Sequence, residues 1–244
     1  MLLAKGKVTN TLTELLSALG INLLDQKLDF IKPGLPILGE DIVSKLEKLS
    51  DAKLMSYGLF WKSCGQSGHV QVNHLEIEAI RAYDIHSLIP EASPRVHAVT
   101  KNKFGMYGYL MEFMDGYKLC DVLKGKRNGD GTITFAYYDA KASENRQIKM
   151  NADGLFKIKR GLTDAVYRLK NARVYHGDLW PPNVMVTSAD LQVKLIDPWF
   201  EATIYELPKC VRNDYGSLEL MNKELDALIG ENKNGTSQKH LHRL

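Results

Sequence analysis

The stretch VYHGDLWPPNVMVTSADLQVKLIDPWF, residues 174–200, restricts the fold of this chain more than any other segment. Its two apolar runs, Val184–Val186 and Val193–Ile196, are short and read as strands. Asn183 stands before the first and Asp197 ends the second, so a hairpin of these strands brings the two polar side chains together. Asp178 lies in the loop upstream, where Gly177 permits a tight backbone and His176 can brace it. Such a set suits phosphoryl transfer from ATP. One carboxylate orients an acceptor hydroxyl and takes its proton, while an amide oxygen and a second carboxylate hold Mg2+ against the phosphates. Pro198 follows the last carboxylate. It fixes φ and removes an N–H, which predicts a metal-binding loop held in one state.

The rest of the chain divides into a mainly β and a mainly α half. A helix capped by Asn10 or Thr11 places Leu12, Leu15, Leu16 and Leu19 on one face and stops at Gly20. Residues 28–32 read as a strand and 33–41, rich in Gly and Pro, as a turn; 42–49 and 53–63 read as two strands around Ser50–Ala52. Residues 72–90 predict a helix stopped before Pro90, and the runs near 94–100 and 108–114 predict strands. After a connector near 111–120, residues 124–150 read as an insertion of hairpin type, and 151–172 and 213–229 as helices. Four segments follow: an N-terminal helical extension (1–27), a β-rich lobe (28–113), a mainly helical lobe (114–232) with the insertion at 124–150, and a flexible tail (233–244).

Composition excludes several classes. A chain of 244 residues with 44% apolar and 25% charged residues can bury a full core. A net charge of +3 does not suggest a nucleic-acid partner, and Lys124–Arg127 reads as a solvated loop. Cys64, Cys120 and Cys210 are far apart and odd in number, which fits a reducing compartment rather than a disulfide framework. His69, His74, His86 and His97 have no ligand spacing. No apolar run is long enough to span a membrane and the N-terminal apolar stretch is too short for a signal peptide, so the expected location is cytoplasmic, with a secreted effector as the alternative.

HGDLWPPN resembles the catalytic loop of the protein-kinase-like superfamily, whose protein kinases read His-Arg-Asp, four residues, Asn. The Gly in place of Arg and the Trp after Leu179 are most similar to the aminoglycoside phosphotransferase and fructosamine kinase branch. KLIDP resembles that branch's metal-binding strand end, with Asp197-Pro198-Trp199 where protein kinases have Asp-Phe-Gly. LFWKS resembles the strand that supplies the ATP-binding lysine, here Lys62. LEIEAIRAY resembles the helix that supplies its acidic partner, Glu78 or in reserve Glu76. The strands leading to Glu112, Phe113 and Met114 resemble the hinge whose backbone binds adenine, and NDYGSLEL resembles the helix whose Asp, here Asp214, anchors the catalytic loop. PGLPILGED, with Gly34 and Gly39, stands where a phosphate-cradling loop is expected, although it does not match Gly-x-Gly-x-x-Gly.

The resemblance implies an α+β, protein-kinase-like two-lobe fold and an ATP- and Mg2+-dependent phosphotransferase acting on a hydroxyl or amine of a small molecule or sugar. Asp178, Asn183 and Asp197 would be catalytic, with Asn183 and Asp197 on the metal; Lys62, Glu78, Gly39, Glu112, Phe113 and Met114 would hold ATP. The short chain after Asp197 is similar in that respect to the shortened kinases among bacterial effectors and lipopolysaccharide kinases, and favours a protein or lipid-linked acceptor. The alternatives are a minimal protein Ser/Thr kinase and a nucleotide-binding pseudokinase that serves as a binding module. A monomer is expected.

Overall fold

The computed structural model describes residues 9–22, 28–63, 72–101, 107–198 and 207–230. Trp199 and the expected flexible tail lie outside them. The described chain is mixed α+β, with most of the sheet in the N-terminal half and the two longest helices, α6 (Ala152–Asn171) and α7 (Leu207–Ile229), in the C-terminal half. No helix among the described residues is long and apolar enough to cross a membrane.

The first sheet has five strands, β1 (Asp29–Lys32), β2 (Leu35–Leu38), β3 (Leu59–Ser63), β4 (Val96–Lys101) and β5 (Tyr107–Glu112), in the spatial order β1-β2-β4-β5-β3. All neighbours are antiparallel except β2 and β4, which are parallel. Helix α1 (Asn10–Ala18) covers one face. Its Leu12, Leu15 and Leu16 form one core with Leu38, Leu59, Ala98 and Leu110 of the sheet. The segment expected to be an N-terminal extension is therefore part of the core it adjoins. Its N-cap is Thr9, one residue before the predicted Asn10. The Thr9 hydroxyl also lies 2.6 Å from His97 Nδ1 on β4. Gly20, at φ +68°, ends the helix as predicted.

Residues 42–49, expected as a strand, are instead mostly helix α2 (Glu40–Leu46), and Asp51–Ser56 form α3 ahead of β3. Ile42, Val43 and Leu46 are buried at i, i+1 and i+4, the helical spacing, so the β-branched pair was a weaker signal than the period. Glu40 and Asp41 occupy the first turn, where the helix dipole favours negative charge. Ser50, expected in a turn, caps α3 by accepting from Lys53 N. The proline-rich 33–41 segment also holds more structure than a turn: Gly34 turns at φ +86°, and Leu35–Leu38 then pair with both neighbours.

The other face of the sheet carries α4 (Val72–Leu88), through Leu75, Ala79 and Ala82 against Val99 and Tyr109. Beyond β5 the chain forms β6 (Gly116–Lys118), which pairs with β10 (Val184–Thr187); β10 pairs in turn with β11 (Val193–Leu195), the predicted hairpin. An added Cβ at Gly116 would collide with the Val186 carbonyl oxygen, so only glycine permits this close pairing. The 124–150 insertion is a hairpin of β8 (Ile133–Asp139) and β9 (Glu144–Met150), edged by β7 (Lys126–Arg127). Its stem residues Ile133, Phe135 and Met150 join the core built on α6 and α7. In α6, Leu155, Ile158, Leu162, Ala165, Val166 and Leu169 are buried at helical spacing, and Lys159 pairs with Asp226 across to α7.

Leu16 is fully buried between α1 and the sheet. Leu16→Ala should cost about 2–5 kcal/mol, the range for a large-to-small change in a closed core, read by urea denaturation. A loss under about 0.5 kcal/mol would show that α1 does not belong to this core.

Candidate active site

Lys62 lies on β3 opposite Tyr109 of β5. Its ammonium donates to Glu78 Oε1 at 2.7 Å and to Asp197 Oδ1 at 2.8 Å. Glu78 sits on α4 and Asp197 just past β11, so one cation ties the sheet, a helix and the far hairpin. Tyr109 donates to the same Glu78 oxygen at 2.6 Å. Burial works to lower the Lys62 pKa, but Asp197 and then Glu78 outweigh it and the net shift is upward. Burial raises that of Glu78, opposed by Lys62 and by the Tyr109 hydrogen bond. The two directions oppose each other as regards charge on Glu78. The 2.7 Å contact, with two donors on one oxygen, favours the ionised pair. Burial holds the Tyr109 phenol well above its ordinary range, so it stays a donor. Glu78, not Glu76, is the partner of Lys62.

The loop ahead of β10 is held by backbone hydrogen bonds to one carboxylate. Asp214 of α7 accepts from His176 N at 2.8 Å and from Gly177 N at 3.1 Å. Burial raises the Asp214 pKa, and the N–H donors of Gly177 and His176 oppose that shift. Gly177 takes φ +82°, which glycine adopts without strain. His176 is fully buried with Nε2 2.8 Å from Ile196 O, so it bridges the loop to the end of β11. Burial pushes its pKa down to about 4, so at neutral pH it is an uncharged donor to that carbonyl. Arg81, one turn along α4 from Glu78, donates to Tyr175 O at 2.8 Å and ties that helix to the same loop.

Asn183 ends a 3-10 turn, Pro181–Asn183, and its Nδ2 donates to Asp178 Oδ2 at 2.8 Å and to Asp178 O at 3.0 Å. That leaves Asn183 Oδ1 for a cation. Ile196 N donates to Asn183 O at 2.9 Å, the last rung of the β10–β11 ladder, which sets Asn183 beside Asp197. Asp197 takes φ +54°, a region costly for most side chains and tolerated by Asp. Pro198 follows it and is buried.

A cavity of about 800 Å³ runs from Lys62, Glu78 and Asp197 to the 112–118 segment, with Met185 and Ile196 in its wall. Glu112, Phe113 and Met114 line it as predicted. The N–H groups of the first two are already used, by Arg95 O and Gly58 O at 2.8 Å each. Among the described residues the Met114 N–H has no such partner, so it is the donor of the three that remains for a ligand. Asp178 and Asn183 lie outside the cavity wall, next to its Asp197 end. Gly39 is the exception among the residues expected to hold ATP. It is the N-cap of α2, and Gly34 and Gly39 flank β2, which two strands separate from β3 in the sheet. At about 4.8 Å per strand, that places them about 14 Å from the Lys62 strand, too far to cradle a phosphate that Lys62 contacts.

Sequence reasoning missed five contributing residues. Tyr109 is placed by β3–β5 register, and Arg81 by its turn of helix. Tyr138, Asp139 and Ala140 of the insertion line the cavity, a contact between distant segments that no local pattern signals. Among the described residues no group of three His, Cys, Asp or Glu could hold a metal. One amide and one carboxylate still suit Mg2+, which keeps several waters and takes phosphate oxygens. No family model matches the chain, and no curated protein matches it.

Two buried histidines make stability fall in acid. Burial holds His97 and His176 each at about 4, below the ordinary 6.5 of a free imidazole. The unfolded chain therefore takes up protons first as pH drops, and folding loses free energy between pH 6.5 and 4. The raised Glu78, Asp214 and Glu224 act in the opposite sense. The melting temperature should fall over that window, and His97→Gln should flatten the fall; an equally steep limb in His97→Gln would contradict the assignment.

Proposed function

We propose that the protein is an ATP- and Mg2+-dependent phosphotransferase with a protein-kinase-like, two-lobe arrangement. The observation that carries this reading is Lys62 between Glu78 and Asp197 at one end of a cavity whose other end is the 112–118 hinge. ATP supplies the phosphoryl group, and Mg2+ would neutralise charge that develops on its oxygens. Lys62 binds and orients the phosphates, held straight by Glu78. Asn183 Oδ1 and Asp197 Oδ2 are the oxygens left for Mg2+. Asp178 accepts the proton of the acceptor; Asn183 Nδ2 holds one of its oxygens and leaves the other free to do so.

The acceptor side is open. Asp178 is half-buried and lies outside the nucleotide cavity, and Trp180 beside it is 50% exposed. A hydroxyl or amine of a small molecule or sugar fits this reading, with a protein side chain as the alternative. A second reading, a nucleotide-binding pseudokinase, draws support from the placement of Gly34 and Gly39 away from Lys62. Turnover separates the two. Labelled ATP with Mg2+, offered to sugars and to a protein lysate, should give label transfer by the wild type. Asp178→Ala and Asp197→Ala should each lower it by at least about 100-fold, the range for losing a general base or a metal ligand. A wild type that binds ATP but turns over no faster than the variants would favour the binding module.

A further inference from the structure

The β8–β9 hairpin projects beyond what its own packing needs. Its stem is anchored, with Ile133, Phe135 and Met150 buried. Tyr117 of β6 meets Phe135 and Tyr137 edge to face, at 4.9 and 5.5 Å between ring centroids, a favoured aromatic geometry. The tip, residues 138–145, buries little and instead reaches the hinge. Lys141 Nζ lies 2.6 Å from Asp115 Oδ2 and 5.5 Å from the centre of the Phe113 ring, within reach of a cation–π contact. The tip is also stiff. Asp139 accepts from the backbone N–H groups of Lys141 and Ala142 at 2.9 and 3.1 Å and pairs with Arg146 at 3.0 Å. Such Asp-to-backbone bonds are a common way to fix a turn. Ser143 takes φ +54° to close it. Asp115 is itself fastened, since its carbonyl accepts from Ser188 N at 2.9 Å. Tyr138 and Asp139 line the same cavity, next to the Lys141 contact with Asp115 and Phe113.

We propose that the hairpin tip, clasped to the hinge by Lys141 and Asp115, is a clamp over the base end of the nucleotide cavity that sets how fast the nucleotide leaves. The clamp rests on the nucleotide reading above and adds to it an element outside the phosphate-handling residues. Two anchored walls flank the entrance, so a base seated against Met114 lies behind Tyr138, and release requires the clasp to open. The phosphate end is untouched by the tip, so the clamp acts on residence time rather than on the transfer step.

Dissociation of a fluorescent N-methylanthraniloyl-ADP, chased by excess ATP with Mg2+ in a stopped-flow instrument, tests it. Lys141→Ala should speed release about threefold, because an exposed ion pair contributes little. A second variant replaces residues 138–145 with Asn-Gly, which joins Tyr137 to Arg146, already opposite in register, through a two-residue turn. It should speed release by about tenfold or more, as loss of a lid does, while the melting temperature without nucleotide moves by only a few degrees because the stem is kept. Wild type and both variants releasing at one rate would overturn the clamp and leave the nucleotide reading intact. A wild type that binds no nucleotide would overturn both.

Discussion

One ammonium group holds the candidate site together. Lys62 Nζ sits between the carboxylates of Glu78 and Asp197, and these three residues come from the sheet, from α4 and from the end of the β10–β11 hairpin. Without the cation, two carboxylates would face each other across a half-buried gap, although α4 would still pack on the sheet through Leu75, Ala79 and Ala82. Tyr109 and Arg81 reinforce the arrangement. Tyr109 commits its hydroxyl to Glu78, and Arg81 carries the position of α4 across to the backbone at Tyr175.

The remaining pieces limit movement around that cation. Asp214 and His176, both buried, fasten the Asp178 loop to α7 and to the end of β11. Asp197 is held at positive φ between the β11 ladder and a buried proline, a position restricted on both sides. A side chain so constrained is positioned before a ligand arrives, and preorganised charge costs no rearrangement at the moment of reaction. Among the described residues, no glycine-rich turn lies beside the Lys62 strand in the place expected for a phosphate cradle. Gly34 and Gly39 serve a turn and a helix cap on the far side of the sheet.

Much of the site was legible because its residues are tied to local elements. The spacing of Asp178, Asn183 and Asp197 follows from a loop and a hairpin, whereas Lys62 and Glu78 were picked out by the resemblance of their strand and helix to kinase-like elements rather than by pattern alone. The two long helices, α6 and α7, and the insertion hairpin were readable from local pattern. Residues 42–56 were not, because Ile42 and Val43 suggest a strand while their burial follows a helical turn. Sheet order was beyond a local reading. The parallel pairing of β2 with β4 sends the Gly34 turn to the opposite side of the sheet from β3, and only tertiary contact decides it. The reach of Tyr138 and Lys141 to the 112–118 segment is likewise a matter of where two distant segments meet.

In the proposed reading, Asp197 and Asn183 bring Mg2+ to a nucleotide held by Lys62, and everything else in the mechanism follows from that. Calorimetric titration of ATP into the protein, with Mg2+ and then with EDTA, tests it most directly when repeated on Asp197→Asn. Wild-type affinity should be at least about tenfold higher with Mg2+, and Asp197→Asn should lose most of that difference while it keeps the metal-free affinity. Equal wild-type affinity with and without Mg2+, or no ATP binding at all, would contradict the account.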